Sequence, residues 1–431
     1  MLALGFLSAL TVGCATQPER PNIVMLDLDT LRADHLGAYG YELDTTPHMD
    51  ALARRGSLFM ENYAQAGWTA PSQASLLTST YVAVNRITQF GQVLDPQVPL
   101  LAEVLQDAGY ATRAYSQLVG QSFERGFDDY IPRDGEWKTG PVDPELDRTF
   151  AQMADWAGEQ TRPFFLFLHT YQVHLGYAPL EEYEQRFVSP DYAGPLRSRD
   201  ITEAYMKQLA TGPYELTDAD RDYIVALYDA LLAHLDDAIG IFLASLDELG
   251  LRENTLVVIV SDHGEEFGER GRMARHATLY NEVIRTPLII AGPGVPRKRV
   301  FRKVVRNIDV APTLLSLADV EIPAIWQGTS LEPIWSRQER QDREVLAQHY
   351  EKAILITDRF KIWSNGHLID LKEDPGERIN ATPERPVKAR LLQGRLTTML
   401  EEMSQESSHI EGPVELNEAD RRKLRALGYV Q

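Results

Sequence analysis

From Pro21 onward, short apolar runs alternate with segments of helical periodicity. Short runs rich in β-branched and aromatic residues and bounded by turn-forming residues are typical of strands. The runs at 163–170 and 255–264 are short, apolar and rich in β-branched or aromatic residues, and the run at 22–29 is predicted to be a buried strand. The clearest runs lie at 22–29, 111–116, 163–170, 255–264 and 286–294.

Helical segments separate these runs, the clearest of them at 45–56, 98–110 and 217–250. In the first segment Thr46 is the predicted cap, Pro47 occupies the first turn and Gly56 ends the helix. The longest segment is predicted to begin at Thr217 or Asp218. Because strands alternate with helices, we expect an α/β fold with a largely parallel sheet that is covered by helices on both faces.

The C-terminal part of the chain has a different pattern. Closely spaced apolar runs at 344–371 predict a small antiparallel sheet. Helical spacing follows at 386–403 and again at 416–431. We therefore expect a larger domain at 21–335 and a small C-terminal subdomain with terminal helices at 336–431.

The N-terminal segment "MLALGFLSALTVGC" is apolar but too short to span a membrane, and it resembles the hydrophobic region of a secretory signal. Cys14 is the only cysteine and follows a small residue at the end of this segment, as in bacterial lipoprotein signals. An ordinary signal peptide with an incidental cysteine is the alternative. We expect residues 1–20 to be a lipoprotein-type signal and tether. The protein would then be exported to the periplasm or cell surface and anchored in the membrane through Cys14.

Composition and charge restrict the function. A chain of 431 residues with 44% hydrophobic content can bury a large core. The formal net charge is −20 and basic runs are absent, which argues against a nucleic-acid partner. An anionic substrate would need a local positive feature, such as a metal ion or a helix N-terminus, to offset this charge.

Polar residues follow several of the predicted strands. Asp29, His169, Asp262 and His263 each lie at the end of an apolar run. Because ligands bind outside the carboxyl ends of strands in open parallel sheets, we expect these side chains to meet at one edge. A single aspartate at such a position is commonly a turn former, but this recurrence favours a shared site.

Asp29, Asp262 and His263 form a mixed set of oxygen and nitrogen ligands. Such a set suits a divalent cation such as Mn²⁺ or Zn²⁺, whereas a Ca²⁺ site would more often be all oxygen. We predict a divalent metal site, with Mn, Zn and Ca as candidates. A hydrogen-bonded Asp–His pair that closes a loop is the structural alternative.

Thr69, in "WTAPSQASLLTS" (68–79), permits two interpretations. As a helix cap, its hydroxyl would accept a backbone N–H of the helix that begins near Pro71. As a nucleophile, it would lie at the positive end of that helix, where phosphate or sulfate oxygens are stabilised. A threonine hydroxyl needs activation, which metal coordination beside Asp29 and Asp262 would supply. The local pattern alone favours the cap.

Other histidines and an aspartate are further candidates. His169 and His174 follow one strand, and His276 precedes a helical pattern, so each could contact an anion or protonate a leaving oxygen. Each also has a structural interpretation, as a packed or capping residue. Asp27 precedes Asp29 on the same strand, and we expect it to be buried and hydrogen-bonded.

These residues and the segments around them resemble the sulfatase family of the alkaline phosphatase superfamily. The resemblance covers nearly all of the chain after the signal segment. The matching segments are "RPNIVMLDLDTLRADHLGAYGY", "TTPHMDALARRGSLFMENYAQAGWTAPSQASLLTS", "PFFLFLHTYQVHLGYAP", "VSDHGEEFGERG", "LYNEVIRTPLII", "LIDLKEDPGERIN" and "LRALGYV". The resemblance implies a three-layer α/β/α sandwich with a small C-terminal antiparallel sheet, and a metal-dependent ester hydrolase.

Residue by residue, the resemblance makes Asp29, Asp262 and His263 metal ligands and Thr69 the nucleophile, itself in contact with the metal. It implies that His174 and His276 contact the anion or the leaving group, and we add His169 as a substrate-binding candidate. Thr30 stands where many sulfatases have a second ligating aspartate, and His263 where many have asparagine. Both departures resemble a "DTLR" branch that includes phosphonate and phosphate ester hydrolases.

Two further departures concern the nucleophile motif. Sulfatases convert a cysteine or serine there to formylglycine, and Thr69 does not permit that modification. Its ester would have to be displaced by water, as with the threonine nucleophiles of related phosphodiesterases. Gln73 replaces the usual arginine, so a cation that normally holds the anion is missing, and Asn85 is a candidate substitute in substrate binding.

The expected substrate is a small-molecule, glycan-linked or lipid-linked phosphate or sulfate ester. We favour hydrolysis of phosphoryl diesters through Thr69, because a monoanionic diester needs fewer cationic contacts than a dianionic monoester. Sulfate monoesters are also monoanions, so a sulfatase without formylglycine is the first alternative. A catalytically silent sulfatase-like lipoprotein that retains the fold for binding is the second.

Overall fold

The structure is a computed structural model, and it describes residues 20–116, 122–132, 143, 145–174, 176–211, 216–271, 273–275, 277–339, 341–407 and 414–415. The predicted signal segment with Cys14 and the predicted helix at 416–431 lie outside these residues. Among the described residues, every helix is too short or too polar to cross a membrane.

The described strands form one large sheet and three smaller ones. In chain order they are β1 (Asn22–Leu28), β2 (Ser57–Tyr63), β3 (Gln92–Val93), β4 (Ala111–Ser116), β5 (Asp129–Pro132), β6 (Phe164–Thr170), β7 (Thr255–Val260), β8 (Glu266–Phe267), β9 (Met273–Arg275), β10 (Leu288–Ala291), β11 (Arg299–Arg306), β12 (Val345–His349), β13 (Lys352–Ile356), β14 (Phe360–Trp363), β15 (Leu368–Asp370) and β16 (Val414–Glu415).

The described α-helices range from single turns to eight turns. They are α1 (Pro47–Arg55), α2 (Thr69–Thr78), α3 (Val82–Asn85), α4 (Leu101–Asp107), α5 (Leu146–Gly158), α6 (Glu181–Phe187), α7 (Glu203–Thr211), α8 (Asp218–Glu248), α9 (Asn281–Ile284), α10 (Val310–Leu317), α11 (Glu332–Trp335) and α12 (Pro386–Glu406).

The large sheet has eight strands in the order β11-β2-β10-β7-β1-β6-β4-β5. The strands from β7 to β5 run parallel, and β11 runs parallel to β2. Strand β10 is antiparallel to both of its neighbours. The sheet is therefore mostly parallel, as the sequence predicts, and β1 lies at its centre with its carboxyl end beside those of β6 and β7.

The two faces of this sheet carry two separate hydrophobic cores. Alternate residues of β1, such as Ile23 and Val24, belong to different cores because successive side chains point to opposite faces. One core is completed by α2, α4, α10 and α12, and the other by α1, α5 and α8. This arrangement confirms the predicted α/β/α sandwich and explains why β6 and β7 carry apolar residues on both faces.

The C-terminal sheet is antiparallel, in the order β12-β13-β14-β15, and α12 packs on β13 and β14. Leu346 and Leu355 of this sheet belong to the same core cluster as Ile23 of the large sheet. The small sheet and the helix were predicted correctly. Because the small sheet shares a core with the large one, the limits 21–335 and 336–431 remain a prediction.

The sequence predicted the start of α8 and both ends of α1 correctly. Helix α8 begins after Thr217, whose hydroxyl accepts the N–H of Asp220. Helix α1 begins at Pro47 and ends before Gly56 as predicted, but the side chain of Thr46 does not cap it. The Thr46 hydroxyl instead accepts the N–H of Gly37 at 3.1 Å.

A buried ion pair joins the small sheet to the segment around α9. Lys361 Nζ lies 2.6 Å from a Glu377 carboxylate oxygen and donates to the Leu279 carbonyl at 2.9 Å. Glu377 also accepts the N–H of Asn281 at the start of α9. Burial lowers the pKa of Lys361, as expected for an ammonium group that is fully enclosed.

We expect Lys361→Met to lower the free energy of unfolding by about 3–5 kcal/mol, because it leaves the Glu377 carboxylate buried without its cation. Urea denaturation of the wild type and the variant measures this loss. The double variant Lys361→Met/Glu377→Gln removes the uncompensated charge and should recover most of the stability. A single variant as stable as the wild type would contradict this account of the attachment.

Candidate functional site

The central strands bring the predicted ligands together at one edge of the sheet. Asp29 directly follows β1, and its N–H donates to the Thr170 carbonyl at the end of β6. Asp262 and His263 lie two and three residues beyond β7, which pairs with β1 on its other side. Ligand atoms of these three side chains all lie within 4.8 Å of one another, and all three residues are fully buried.

Helix α2 carries Thr69 into this cluster. The helix begins at Thr69 itself, and Trp68 occupies the cap position. The Thr69 hydroxyl lies 3.1 Å from Asp29 Oδ2 and 3.2 Å from His263 Nε2. The capping interpretation is therefore wrong, since the hydroxyl points across to the strand ends and not back to its own helix.

Buried oxygens at this site lack hydrogen-bond partners. Among the described residues, Asp29 Oδ1 and Asp262 Oδ2 are inaccessible to solvent and accept no hydrogen bond. An unsatisfied buried carboxylate oxygen is costly, and coordination of a cation removes this cost. The residues thus fit a divalent cation held by Asp29, Asp262 and His263, with Thr69 beside it. The sequence predicted this set correctly as neighbours.

The protonation of the cluster also suits a cation. Burial, and next the charge of Asp262, raises the pKa of Asp29 well above its ordinary value, and burial raises the pKa of Asp262 to about 7. Burial lowers the pKa of His263 to about 4, so its imidazole is neutral near pH 7. A bound cation favours the ionised carboxylates and the neutral imidazole, which are the forms that coordinate metals.

The backbone fixes the tautomer of His263. Its Nδ1 lies 2.8 Å from the Gly264 carbonyl oxygen, which can only accept, so Nδ1 carries the proton and donates. The lone pair of Nε2 therefore faces Thr69 and the two carboxylates. This nitrogen can ligate a metal ion or accept a proton.

Polar residues that the sequence analysis missed hold the ligand loop in place. Ser72 donates to the Asp262 carbonyl at 2.5 Å, and Ser261 donates to the His263 carbonyl at 2.6 Å. Asn307, which precedes α10, donates to the Ser261 carbonyl at 2.8 Å. Ser72 lies three residues after Thr69, on the same face of α2, and this spacing could have predicted that Ser72 also faces the ligand loop. Asn307 carried no local signal.

Gln73 of α2 and Asp27 of β1 are joined by a hydrogen bond. Gln73 Nε2 donates to Asp27 Oδ2 at 2.9 Å, and both side chains are buried. Asp27 is thus buried and hydrogen-bonded as predicted, and burial, followed by the charge of Asp262, raises its pKa. Gln73, at the position where the resemblance implies an arginine, thus bonds a buried carboxyl group of the protein itself. Its role in substrate binding remains a prediction.

The two histidines after β6 lie at different depths. His169 is fully buried, and its Nε2 lies 3.4 Å from Asp29 Oδ2, so it contacts the ligand cluster directly. Burial lowers the pKa of His169 to about 3, with the charge of His263 as a second cause. His174 is partly exposed, and its ring lies 4.9 Å from that of Tyr171, which in turn contacts His169.

The remaining predicted residues are not placed at the cluster. His276 lies outside the described residues, although the N–H of the next residue, Ala277, donates to the Gly67 carbonyl two residues before Thr69. Asn85 ends helix α3, where its amide donates to the Thr80 carbonyl and accepts the N–H of Ile87. These bonds assign Asn85 to a turn, and its predicted role in substrate binding has no support from them.

The arrangement can activate a hydroxyl toward an anion. Thr69 is slightly exposed, at 5%, while the carboxylates and imidazole behind it are sealed from solvent. Its single hydroxyl proton faces two acceptors, Asp29 Oδ2 and His263 Nε2. The N-terminus of α2 adds a partial positive charge at the same point. A nucleophile, proton acceptors and a cation site therefore meet at one place.

Two family models match the chain. The model described as Sulfatase matches residues 21–320. A second model, described as N-sulphoglucosamine sulphohydrolase, C-terminal, matches residues 268–406. The two together cover all residues placed in the cluster and the small antiparallel sheet.

Similar proteins include sulfate and phosphonate ester hydrolases. The chain is 26% identical to a Delta 4,5-hexuronate-2-O-sulfatase of Bacteroides thetaiotaomicron, over 86% of each chain. A structure in complex with its substrate D-glucosamine-2-N,6-O-disulfate superposes with a TM-score of 0.74 at 22% identity, covering 94% of this chain and 100% of that one. The phosphonate monoester hydrolase of Agrobacterium radiobacter also gives a TM-score of 0.74, at 20% identity over 92% of this chain and 100% of its own.

Proposed function

Because the chain belongs to the sulfatase family, whose members hydrolyse esters, we propose that it is a metal-dependent hydrolase of phosphoryl diesters with Thr69 as its nucleophile. The observation that most supports this proposal is the position of Thr69 at the start of α2. Its hydroxyl lies within hydrogen-bond distance of both Asp29 and His263. A catalytically silent binding protein would not need a hydroxyl placed between a buried carboxylate and a buried imidazole.

In the proposed first step, the Thr69 oxygen attacks phosphorus and the bond to the departing alcohol breaks. The hydroxyl proton passes to Asp29, whose Oδ2 lies 3.1 Å from the Thr69 hydroxyl. His174, which is partly exposed beside Tyr171, donates a proton to the departing oxygen. When bound, a divalent cation would polarise the ester and lower the pKa of a coordinated hydroxyl.

In the second step, water displaces Thr69 from phosphorus and releases the product. Threonine has no route to formylglycine, so its ester cannot collapse to an aldehyde and must be hydrolysed in this way. His174, which gave its proton to the departing alcohol, takes a proton from the attacking water, and Asp29 returns its proton to the Thr69 oxygen. The same groups thus serve both steps, and the hydroxyl of Thr69 is regenerated.

The charge of the site favours a monoanionic ester over a dianionic phosphate monoester. A diester carries one negative charge, and the buried Gln73–Asp27 pair places no cation at the position where the family usually has arginine. The strongly acidic chain also disfavours a dianion. Similarity to a phosphonate monoester hydrolase, whose named substrate is also an ester with one ionised oxygen near neutral pH, supports the proposal at the level of fold.

Sulfate ester hydrolysis is the second candidate. It is favoured by the matching family models and by the relative named as a hexuronate sulfatase. Sulfate monoesters carry the same single charge as diesters, so the charge of the site does not separate the two. Glycan-linked esters are the natural setting for either reaction, since the named relatives act on sugars.

A matched pair of aryl esters separates the two candidates. We expect the Mn²⁺- or Zn²⁺-loaded enzyme to hydrolyse an aryl phosphodiester with kcat/KM at least about tenfold above that of the sulfate ester of the same phenol, a difference of about 1.4 kcal/mol. Release of the common phenol is the measurement, so the two substrates share one detection. A preference for the sulfate ester would make the second candidate the function.

A further inference from the structure

Thr30 has an unusual backbone conformation for a threonine. It is the third residue of a turn that follows β1, in which the N–H of Leu31 donates to the Leu28 carbonyl at 3.2 Å. Its φ is +58°, in the left-handed region. Glycine and asparagine are favoured at this position of such a turn, and a β-branched residue there is strained. Strain of this kind persists only where the surrounding contacts hold it in place, and it is most frequent at functional sites.

Hydrogen bonds hold Thr30 in this conformation. The residue is fully buried, and its carbonyl accepts the Tyr228 hydroxyl at 3.1 Å. Its own hydroxyl lies 2.7 Å from the Asp29 carbonyl and 3.0 Å from the Val173 carbonyl. Both carbonyls can only accept, so the single hydroxyl proton is shared between them. The Thr30 side chain is therefore committed as a donor to the backbone beyond two neighbouring strands.

The bond to the Val173 carbonyl reaches the turn that carries His174. Strands β1 and β6 are parallel neighbours, with Leu28 beside Thr170, so the turns that follow them lie side by side. In the turn after β6, the His174 N–H donates to the Tyr171 carbonyl at 2.9 Å. One hydroxyl thus links the turn of the predicted metal ligand to the turn of the proposed acid.

The peptide group between Val173 and His174 is hydrogen-bonded at both ends. Thr30 donates to its carbonyl oxygen, and the Tyr171 carbonyl accepts its N–H. Because a peptide group is planar, these two bonds fix its orientation, and with it the direction in which the chain enters His174. The branched side chain of threonine restricts χ1, so Thr30 presents its hydroxyl from a fixed direction. Loss of this hydroxyl would release one end of the peptide group.

We propose that Thr30 is a positioning residue for the reaction. Its hydroxyl orients the peptide group between Val173 and His174, and so holds the His174 side chain where it protonates the departing oxygen of the ester. The bond spans the turn of Asp29 and the turn of His174, so it sets the separation of the cation site and the acid. In this role Thr30 contacts neither the ester nor the cation. This inference rests on the proposed ester hydrolysis, and it adds the residue that places the acid.

Thr30→Val tests this role, because valine keeps the shape of the side chain and removes the hydroxyl. The acid matters most when the departing oxygen is basic, so the variant should lose more kcat with a phenyl phosphodiester than with the para-nitrophenyl one, whose phenolate departs without a proton. We expect the ratio of kcat for the para-nitrophenyl ester to kcat for the phenyl ester to rise about tenfold. Thr30→Ser should restore the wild-type ratio. Thr30→Ala lacks the hydroxyl but relieves the branched side chain at positive φ, so it should raise the ratio without the strain.

Two further variants show whether Thr30 acts through His174. Thr45→Val removes another buried hydroxyl that donates to a carbonyl, that of His35 at 2.6 Å, and should leave the ratio unchanged. His174→Gln should itself raise the ratio, and the double variant Thr30→Val/His174→Gln should raise it no further, because both changes remove one contribution. An equal loss of kcat with both esters in Thr30→Val, or an additional rise in the double variant, would overturn the proposal.

A structural measurement separates failure of this proposal from failure of the proposed function. Crystal structures should show residues 171–174 displaced in Thr30→Val while Asp29, Asp262 and His263 keep their places, and this result needs no turnover. Displacement in an enzyme that cleaves no phosphodiester would keep the positioning role and reject the proposed function, and sulfate esters of the same two phenols would then measure the ratio. Residues 171–174 in the wild-type position would refute the proposal. So would loss of the rise in Tm that Mn²⁺ or Zn²⁺ gives the wild type, since it would make Thr30 a metal ligand.

Discussion

Thr69→Ala should lower kcat for the aryl phosphodiester by about 10⁴-fold or more, the scale on which loss of an enzyme nucleophile acts. The substitution removes the hydroxyl that lies between Asp29 Oδ2 and His263 Nε2. Initial rates at saturating substrate, with the metal content matched to the wild type, measure the effect. Thermal unfolding checks that the variant is folded.

Thr69→Ser is the matched control once mass spectrometry shows that the new serine is unmodified, since it then keeps the hydroxyl and deletes one methyl group. We expect it to retain measurable turnover, with losses caused by the greater rotational freedom of serine. The ordering wild type, then Thr69→Ser, then Thr69→Ala follows from nucleophilic attack. If Thr69→Ala hydrolysed the diester at the wild-type rate, Thr69 would not be the nucleophile.

Asp262→Asn should lower kcat by about 10³-fold and abolish the rise in Tm that Mn²⁺ or Zn²⁺ gives the wild type. The two effects share one cause, which is loss of a buried carboxylate that accepts no hydrogen bond on Oδ2. In the absence of metal the variant should unfold at a higher temperature than the wild type. It no longer places a carboxylate beside Asp27 and Asp29, whose pKa values are raised by burial and by Asp262.

Asp237→Asn provides the control for this prediction. Asp237 is partly exposed and belongs to a second group of possible ligands, with the exposed His48 and the buried Asp236. Both Asp236 oxygens already accept N–H groups at the start of α1. We expect the activity and the metal-dependent Tm of Asp237→Asn to match the wild type. If chelation or Asp262→Asn left the activity unchanged, the reaction would not depend on a metal at this cluster.

The sequence predicted the cluster because its members lie at strand ends. Each of Asp29, Asp262 and His263 follows a strand that is mostly apolar, and the parallel order of β1 and β7 brings such ends together. Position along the chain was therefore enough to predict proximity, although the hydrogen bonds among these side chains had to be observed.

Thr69 shows where a local pattern misleads. Helix capping preferences predicted a start near Pro71, but α2 starts at Thr69. The hydroxyl turned toward Asp29 because a tertiary contact with a buried carboxylate outweighs a cap of about 1 kcal/mol. The side-chain amide of Asn85 forms local turn bonds, and its predicted role in substrate binding stays a prediction.

Contacts between residues that lie far apart in the sequence could not be predicted. Asn307 reaches the ligand loop from the segment before α10, and Tyr350 reaches Trp68 from the C-terminal sheet. Asn307 and Ser261 are 46 residues apart in the sequence, and Tyr350 and Trp68 are much farther apart. No periodicity or capping rule links such positions, because the packing of whole elements decides which residues meet.

The stereochemical course at phosphorus tests the central claim most directly. A phosphodiester is made chiral at phosphorus by replacing one non-bridging oxygen with sulfur, and it is hydrolysed in water labelled with an oxygen isotope. The configuration of the product is then determined by ³¹P NMR. Two successive displacements, first by Thr69 and then by water, predict net retention of configuration. Net inversion would mean that water attacks the ester directly, and it would contradict a covalent role for Thr69.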